Sequence, residues 1–434
     1  MRRDLRAPAR VRMRQEALVH LRGRMGDTSM TKKFVPILLG TEIGAYGMAR
    51  AFWEAYGVRS LAYGTFPLTP TRHSKFIEQR CDERLMDPAV FVRMLNADAG
   101  QLNGALGLVI PCGDEYSILL SEHKDELDGR YVPICSGPGT LVQLNDKSRF
   151  YGLCERAQVP YPQAITLGPG DEVRELPFPY PVALKPTDAL DFREHPFEGQ
   201  KKAFILDGRP MLEEALRRVF DSGYSGKLVV QDFVPGGDDN MRVVNGYVRH
   251  DGSTALLSIG QPVLEDCAPM RIGNYAAIIS YGDEGAYASV ERLMRYIDYF
   301  GYFNIDMKLD VRDGSYKLLD FNPRQGRSSF FTTLSGHNLA RCVVEDVIEG
   351  KTGESVHASE EFLWCGVPRS IVRRYVADGP LKERALLLMR EGKVGTTLFG
   401  GHDRDPRRLW NMVKLWAHYR VDFRRYFGHR ELEG

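Results

Sequence analysis

The segment YFNIDMKLD at residues 302–310 is followed, after a short polar stretch, by YKLLDFNPR at residues 316–324. Apolar residues alternate with polar ones in both segments, which is typical of β-strands. Between them, Arg312, Asp313 and Gly314 form a turn signal,. The two segments therefore predict an antiparallel β-hairpin.

Three side chains with oxygen ligands fall on this predicted hairpin. Asp306 lies near the middle of the first strand. Asp320 and Asn322 lie on the second strand, two residues apart and therefore on the same face,. Two buried carboxylates side by side are costly unless a cation neutralises them. These three residues are therefore predicted to bind Mg²⁺, with Mn²⁺ as an alternative ion. The competing interpretation is an ordinary hairpin with solvent-facing carboxylates.

Basic residues accompany the predicted metal site. Arg324, two residues beyond Asn322, is predicted to reach a phosphate or a carboxylate. Lys147 opens a predicted helix, and Lys185 ends the apolar run PVALK, where a lysine can place its charge on a phosphate,. Residues 227–236 indicate a strand that breaks at Pro-Gly and can offer backbone groups to an adenine edge,.

The order of these features resembles the ATP-grasp superfamily over about residues 141–345. The resemblance implies an ATP-grasp fold preceded by a Rossmann-like α/β domain. It also implies ATP contacts, which would come from Lys147, Lys185, Gln231, Asp232, Phe233, Val234 and Asp239. Many members carry a glycine-rich loop after the strand lysine, whereas residues 187–200 contain only Gly199. Closure over the phosphates by side chains such as Lys202 is therefore expected.

Three phrases carry a narrower resemblance: LGTEIGAYGMAR at 39–50, FEGQKK at 197–202 and NPRQGRSS at 322–329. They resemble the carboxylate–amine ligases of peptidoglycan cross-bridge synthesis, of the D-aspartate ligase type. The resemblance implies that ATP phosphorylates a small carboxylate and that an amine, with a peptidoglycan precursor as the favoured acceptor, attacks the acyl phosphate. Lys185, Arg324 and Arg327 would be the catalytic residues. A ligase of free amino acids or another small carboxylate, and a nucleotide-binding module without catalysis, remain as alternatives.

Net charge, cysteine content and the length of the apolar runs exclude some classes of protein. The 434 residues carry 58 Lys and Arg against 57 Asp and Glu, so the net charge of +1 gives no sign of nucleic-acid binding,. The seven cysteines are scattered without a CxxC pair, which indicates reduced thiols in the cytoplasm,. The apolar runs are strand-sized, well below the roughly 18 residues of a membrane span.

Four regions are predicted along the chain. Residues 1–33 carry ten basic and three acidic side chains, a charge of +7. They are expected to form a flexible leader, with an upstream start before Met30 or a targeting peptide as alternatives. A parallel α/β domain follows at 34–140, then an ATP-grasp domain at 141–348 with its lid at about 155–235, and a C-terminal region at 349–434. Beyond the predicted strand at residues 106–111, Asp114 and Glu115 are expected to contact substrate.

The glycines Gly40, Gly44 and Gly47 follow the first apolar run. Their spacing differs from the GxGxxG pattern of dinucleotide-binding turns, so a tight turn is the favoured interpretation. Near the other end of the chain, residues 407–430 combine seven basic side chains with apolar ones at helical spacing,. The favoured interpretation is a helix packed on the protein with solvated arginines. Peripheral contact with an anionic membrane surface is the alternative.

Overall fold

A computed structural model of the chain describes residues 33–201, 203–400 and 402–428. The predicted basic leader, apart from Lys33, and Lys202, for which a role in closure was expected, lie outside the described residues. The described chain forms three sheets of five, four and eight strands.

The first sheet is parallel, with the strand order β3-β2-β1-β4-β5. Its central strands are apolar because helices cover both faces of a parallel sheet,. Gly57 closes the first helix in the left-handed conformation, with a φ of 68°,. The elements are β1 (Phe34–Leu39), α1 (Ile43–Tyr56), β2 (Ser60–Gly64), β3 (Ile77–Cys81), α2 (Pro88–Asp98), β4 (Leu106–Pro111), α3 (Asp114–His123) and β5 (Tyr131–Pro133).

The second sheet is antiparallel, with the order β6-β9-β7-β8, and lies within the segment predicted to be the lid, the name used for it below. Two helices lead into it, and a further amphipathic helix packs Leu212 and Val219 into the lid core,. The elements are α4 (Pro138–Asn145), α5 (Lys147–Arg156), β6 (Ala164–Leu167), β7 (Val182–Pro186), α6 (Ala189–Arg193), β8 (Phe204–Leu206), α7 (Arg209–Asp221) and β9 (Leu228–Asp232).

The third and largest sheet has the order β14-β13-β10-β11-β12-β16-β17, with β15 paired to β11. One face packs on α8, whose Val290 and Leu293 are fully buried. The elements up to the end of the predicted ATP-grasp domain are β10 (Met241–Val248), β11 (Thr254–Glu265), β12 (Tyr275–Tyr281), α8 (Glu284–Tyr296), β13 (Gly301–Leu309), β14 (Tyr316–Asn322), α9 (Phe330–Leu334) and α10 (Leu339–Val343), which a π-helical turn at Val344–Ile348 extends.

The C-terminal region completes the large sheet. Its elements are β15 (Val356–His357), β16 (Phe362–Cys365), α11 (Arg369–Tyr375), α12 (Pro380–Arg390), β17 (Val394–Gly395) and α13 (Pro406–Tyr426). Because β16 pairs with β12 and β17 pairs with β16, the expected boundary at residue 348 does not coincide with an edge of this sheet. The region beyond that boundary was predicted to be mainly helical, and three of its six elements are helices, which accompany three short strands.

The basic helix near the C-terminus packs on the protein, as the favoured interpretation predicted. Asp405 caps its first turn by accepting a hydrogen bond from the main-chain N–H of Arg407 at 2.8 Å,. Met412 and Phe423 are fully buried against the rest of the fold. None of the helices in the described ranges is long and apolar enough to cross a membrane.

Candidate active site

A cleft of about 700 Å³ lies where the three sheets meet. The large sheet and the loops that extend it form one wall, the lid forms the opposite wall, and the first domain contributes one side chain at the edge. The large sheet and its loops contribute Val243, Pro269, Gly273, Asn274, Tyr275, Asn304, Asp306, Asn322, Arg324, Arg327 and Ser328. The lid contributes Pro186, Phe192, Arg193, Gln200 and Lys201. The first domain contributes Asp114. The cleft is large enough for a small ligand.

The predicted hairpin is present as β13 and β14, and its two carboxylates oppose each other. Asp306 and Asp320 are direct partners in the antiparallel register. The hydroxyl of Tyr275 donates to Asp306 Oδ1 at 3.0 Å. The ammonium of Lys147 forms an ion pair with Asp320 Oδ1. Each carboxylate is thus oriented by a donor from outside the hairpin.

The amide of Asn322 is oriented at both of its ends. Its Nδ2 donates to the main-chain and side-chain oxygens of Asn304 at 3.2 Å and 3.1 Å, and its Oδ1 accepts from Arg324 Nη2 at 3.2 Å. A carboxylate pair and an amide oxygen are the hard oxygen donors that Mg²⁺ prefers. In the described part of the chain, no group of three or more His, Cys, Asp and Glu side chains is arranged to hold a metal. This donor set therefore fits a Mg²⁺ ion that takes its other ligands from phosphate and water.

The two predicted ATP-binding lysines lie on different walls. Lys147 is buried at the start of α5, and besides contacting Asp320 it donates to the main-chain oxygen of Leu319 at 3.1 Å. Lys185 lies on β7, opposite Val229 of β9 and next to Pro186, which lines the cleft. The structure thus brings Lys147 to the carboxylate hairpin and Lys185 to the lid wall.

The segment predicted to contact adenine is the end of β9. Gln231 is buried, and its Oε1 accepts from the hydroxyl of Tyr151 at 2.8 Å. The carboxylate of Asp232 accepts two hydrogen bonds from the guanidinium of Arg312, at 2.6 Å and 3.1 Å. Both side chains are therefore engaged within the protein and fix the position of this segment.

The residues that follow β9 contact the hairpin wall. The ring centroid of Phe233 lies 5.0 Å from Lys308 Nζ, and Val234 is buried. The main-chain oxygen of Asp239 accepts from Arg242 Nη1 at 2.7 Å. Burial lowers the pKa of Lys308, and nearby aspartates including Asp239 oppose this shift,. Lys308 is a partly buried cation that the sequence motifs did not single out.

Arg324 is fixed by a carboxylate of the first domain. Its Nε and Nη2 donate to the two carboxylate oxygens of Asp114 at 2.8 Å and 3.1 Å, a bidentate arrangement,. Burial alone would lower the pKa of the Arg324 guanidinium, but the charge and hydrogen bonds of Asp114 raise it above the ordinary value. Asp114 begins α3 beyond the end of β4, where the sequence predicted contact with substrate.

Glu42 lies beside Arg324 and Asp114, and although it belongs to the phrase at 39–50, the sequence analysis did not single it out as a site residue. It occupies the turn between β1 and α1, where the N–H of Thr41 donates to its Oε2 at 3.1 Å. Burial raises the pKa of Glu42, while the charge of Arg324 lowers it and that of Asp114 raises it,. Its position at the carboxyl end of a parallel strand was the available signal.

Two further parts of the cleft matter for closure and for anion binding. On the lid, Arg193 and Lys201 are exposed and line the cleft. Arg193 Nη2 lies 3.5 Å from Glu115 Oε1 of the first domain. On the opposite wall, Arg327 Nη2 donates to the hydroxyl of Tyr419 at 3.0 Å. Tyr419 lies on α13, so the C-terminal helix reaches the site.

A Rossmann-like domain, an antiparallel lid and a large sheet that carries opposed carboxylates across a cleft define the ATP-grasp class of ligases. No family model matches the sequence. D-aspartate ligase of Enterococcus faecium is 39% identical to this chain over 420 residues, which cover 94% of this chain and 100% of that protein. The chain belongs to the D-aspartate ligase family, and it is an ATP-dependent ligase that joins a carboxylate to an amine.

Solved structures show the same fold at low sequence identity. An L-amino acid ligase from Bacillus licheniformis matches with a TM-score of 0.53 and 14% identity, covering 74% of this chain and 75% of that one. An ADP complex of N5-carboxyaminoimidazole synthetase from Staphylococcus aureus matches with a TM-score of 0.54 and 12% identity, covering 77% and 82%. The predicted fold class and reaction class are confirmed.

Proposed function

We propose that this ligase activates a carboxylate of D-aspartate with ATP and transfers the acyl group to an amine of a peptidoglycan precursor. The observation that carries the proposal is the 39% identity along the whole length of D-aspartate ligase. The cleft supports it, because Arg324 and Arg327 line the same cavity as Asp306 and Asn322. A donor with two carboxylates matches a site with two guanidinium groups.

In the first step, a donor carboxylate oxygen forms a bond to the γ-phosphorus of ATP while the bond from that phosphorus to the β,γ-bridging oxygen breaks. The products are an acyl phosphate and ADP. We assign Lys185 and Lys147 to the phosphates and Arg324 to the carboxylate that is phosphorylated. These fixed cations stabilise the negative charge of the phosphoryl group in transit, so no covalent enzyme intermediate is needed.

The metal site belongs to the same step. The oxygens of Asp306, Asp320 and Asn322 would hold Mg²⁺, or Mn²⁺ in its place, and the bound ion would supply further neutralisation of phosphate charge. Tyr275 and Lys147 orient the two carboxylates for this task,.

The nucleotide base is assigned to the end of β9. Gln231, Asp232, Phe233 and Val234 form a segment whose position is fixed by buried or paired side chains, so its backbone can present a constant edge to adenine,. Asp239, beyond the glycine turn, is assigned to the ribose or a phosphate. Lys202, which lies outside the described residues, is proposed to contact the phosphates.

In the second step, the acceptor amine attacks the acyl carbon. A C–N bond forms, the C–O bond to phosphate breaks, and inorganic phosphate leaves. Starting from an ammonium group, one proton departs with the phosphate and one passes to solvent. The lid, through Arg193 and Lys201, would exclude water from the acyl phosphate until the amine arrives.

A screen of phosphate release tests the proposal. Wild-type protein with ATP and Mg²⁺ would be supplied with D- and L-amino acids, with and without a lysine-containing peptidoglycan precursor. We expect the largest release with D-aspartate and the precursor together. A stronger response to another acid would identify a ligase of that acid instead, and ATP binding without release under any pair would identify a nucleotide-binding module.

The outer face of α13 supports a second proposal about partners, namely contact with an anionic membrane surface. Trp410, Val413 and Val421 are 60%, 53% and 57% exposed on this helix. Several basic residues are exposed on the same helix, among them Arg420, Arg424 and Arg425. A surface of this kind is suited to anionic lipid interfaces.

We expect the protein to co-sediment with vesicles of anionic but not zwitterionic lipid at low salt. A Trp410→Ser, Val413→Ser variant should lose this co-sedimentation. Equal sedimentation by wild type and variant would contradict the proposal.

A further inference from the structure

Three arginines at or beside one end of the cleft differ in how their charges are balanced. Arg324 is paired with Asp114. Arg271 is paired with two carboxylates, those of Asp266 at 2.7 Å and Asp422 at 2.5 Å. Both cations are therefore compensated by the protein itself.

Arg327 differs from these two arginines. Within the described ranges of the chain it forms no ion pair with a carboxylate, and its hydrogen-bond partner is the neutral hydroxyl of Tyr419. It also lines the cleft. A guanidinium that is oriented but not neutralised is suited to bind an anion that enters with a ligand.

The orienting hydroxyl is itself rigidly placed. Tyr419 is 5% exposed, and its ring packs beneath Arg271, whose Cζ lies 4.9 Å from the ring centroid. Burial raises the pKa of Tyr419, while the charge of Arg327 opposes the shift. The phenol therefore stays protonated at neutral pH and remains a neutral partner.

Helix α13 connects this tyrosine to the wall of the cleft. Asp422, one turn beyond Tyr419, holds Arg271, which also pairs with Asp266 at the start of the loop that follows β11. Pro269 and Gly273 of that loop line the cleft. The C-terminal helix therefore fixes both the loop and the side chain of Arg327.

We propose that Tyr419 is a positioning residue that aims Arg327 at the carboxylate of the donor that does not react. The inference rests on the proposed function, since it requires a donor with two carboxylates. In this arrangement Arg327 takes the donor carboxylate that is not phosphorylated. Binding of the donor then depends on a helix outside the predicted ATP-grasp domain.

The test compares Tyr419→Phe with a matched control, Tyr375→Phe. Tyr375 packs its ring on Phe423 and Phe427 of the same helix. For both variants we would measure kcat and the KM values for D-aspartate, ATP and the precursor. Tyr419→Phe should raise the KM for D-aspartate about tenfold, a loss of about 1.4 kcal/mol. It should leave kcat and the KM for ATP within about twofold of the wild-type values, and Tyr375→Phe should change none of these values.

A double-mutant cycle distinguishes positioning from a general loss of structure. Arg327→Met should raise the KM for D-aspartate more than Tyr419→Phe does. If Tyr419 acts through Arg327, adding Tyr419→Phe to Arg327→Met should have no further effect on that KM. A full additional loss in the double variant, an unchanged KM for D-aspartate in Tyr419→Phe, or an effect confined to the precursor would overturn the inference.

The proposed function can fail separately. If wild-type protein releases no ADP with D-aspartate but does so with another acid, the donor assignment is wrong before any variant is made. If wild type uses D-aspartate and the Tyr419→Phe variant is unchanged, only the positioning role is wrong.

Discussion

The two walls of the cleft are built differently. On the hairpin wall, Asp306 and Arg324 are held by partners outside the hairpin, Tyr275 and Asp114, and Asn322 is held by Asn304 of the neighbouring strand. On the lid wall, Arg193 and Lys201 are exposed. Chemistry that needs fixed charges is suited to the first wall, and closure over a ligand is suited to the second.

This difference predicts a ranking of mutational effects. Changes on the hairpin wall should reduce the rate of phosphoryl transfer, because the charges there stabilise the transition state. Changes at the exposed lid residues Arg193 and Lys201 should mainly reduce the efficiency with which ATP consumption yields amide, because the lid is proposed to exclude water. Lys185 also lies on the lid sheet, but it is assigned to the phosphates and its replacement should reduce the rate. The following experiments test the ranking, beginning with the largest expected effect.

Replacing Asp320 by Asn should have the largest effect. The change removes a proposed metal ligand and leaves the buried ammonium of Lys147 without its carboxylate, so ADP release should fall on the order of 10³-fold. Asp313→Asn is the matched control, because Asp313 lies on the turn of the same hairpin and pairs with Lys317 at 2.6 Å. Mg²⁺-dependent ADP release would be measured for both, with circular dichroism as a check on folding. Normal turnover by Asp320→Asn would exclude the metal assignment.

Lys185→Met should have the next largest effect. The loss of one positive charge near the phosphates should lower kcat/KM for ATP about 10²-fold. Lys227→Met serves as the control, since Lys227 directly precedes β9 of the same lid sheet. If both variants lost activity equally, Lys185 would have no specific role at the phosphates.

Tyr275→Phe should have an intermediate effect. Its hydroxyl orients Asp306 without belonging to the set of metal ligands, and the loss of such an orienting bond weakens metal binding about 10-fold. The measurement is the Mg²⁺ concentration that gives half-maximal ADP release, compared with Tyr296→Phe, a change at an exposed tyrosine. An unchanged Mg²⁺ requirement would show that the Tyr275 hydroxyl does not position Asp306 for the ion.

Arg193→Ala should have the smallest effect on rate. Its ion pair with Glu115 is exposed at both ends, and such pairs contribute about 0–1 kcal/mol,. The expected result is a change of about twofold to fivefold in kcat, with more ADP released per amide formed. Arg217→Ala, at a similarly exposed arginine on α7, should keep the ratio of ADP to amide unchanged. A ratio that stays at one in Arg193→Ala would remove this arginine from the lid's protective role.

The sequence predicted best those parts of the site whose residues lie close together along the chain. Asp306 and Asp320 lie on strands joined by a short turn, so alternation and turn residues were enough to predict that they oppose each other. The positions of Lys147 and Lys185 at the start of a helix and the end of a strand followed from similar local patterns.

The remaining contacts connect residues that are distant in the sequence. Tyr419 and Arg327 are 92 residues apart, and Arg324 and Asp114 are 210 residues apart. Such pairs depend on how the sheets and helices pack, which periodicity within one element does not encode. For the same reason, the boundary expected at residue 348 gave no sign that β16 would pair with β12.

One buried carboxylate connects the first domain to the last helix. Asp403 pairs with Arg408 of α13 at 2.8 Å, and it also accepts from Ser74 Oγ at 2.7 Å and the main-chain N–H of Lys75 at 3.0 Å. Arg408 in turn packs on the ring of Tyr46, with its Cζ 3.9 Å from the centroid. A chimeric ligase that exchanged residues 34–140 between relatives would therefore have to exchange residues 403–426 with them, because the first segment supplies the hydrogen bonds and the aromatic ring that surround the buried ion pair of the second.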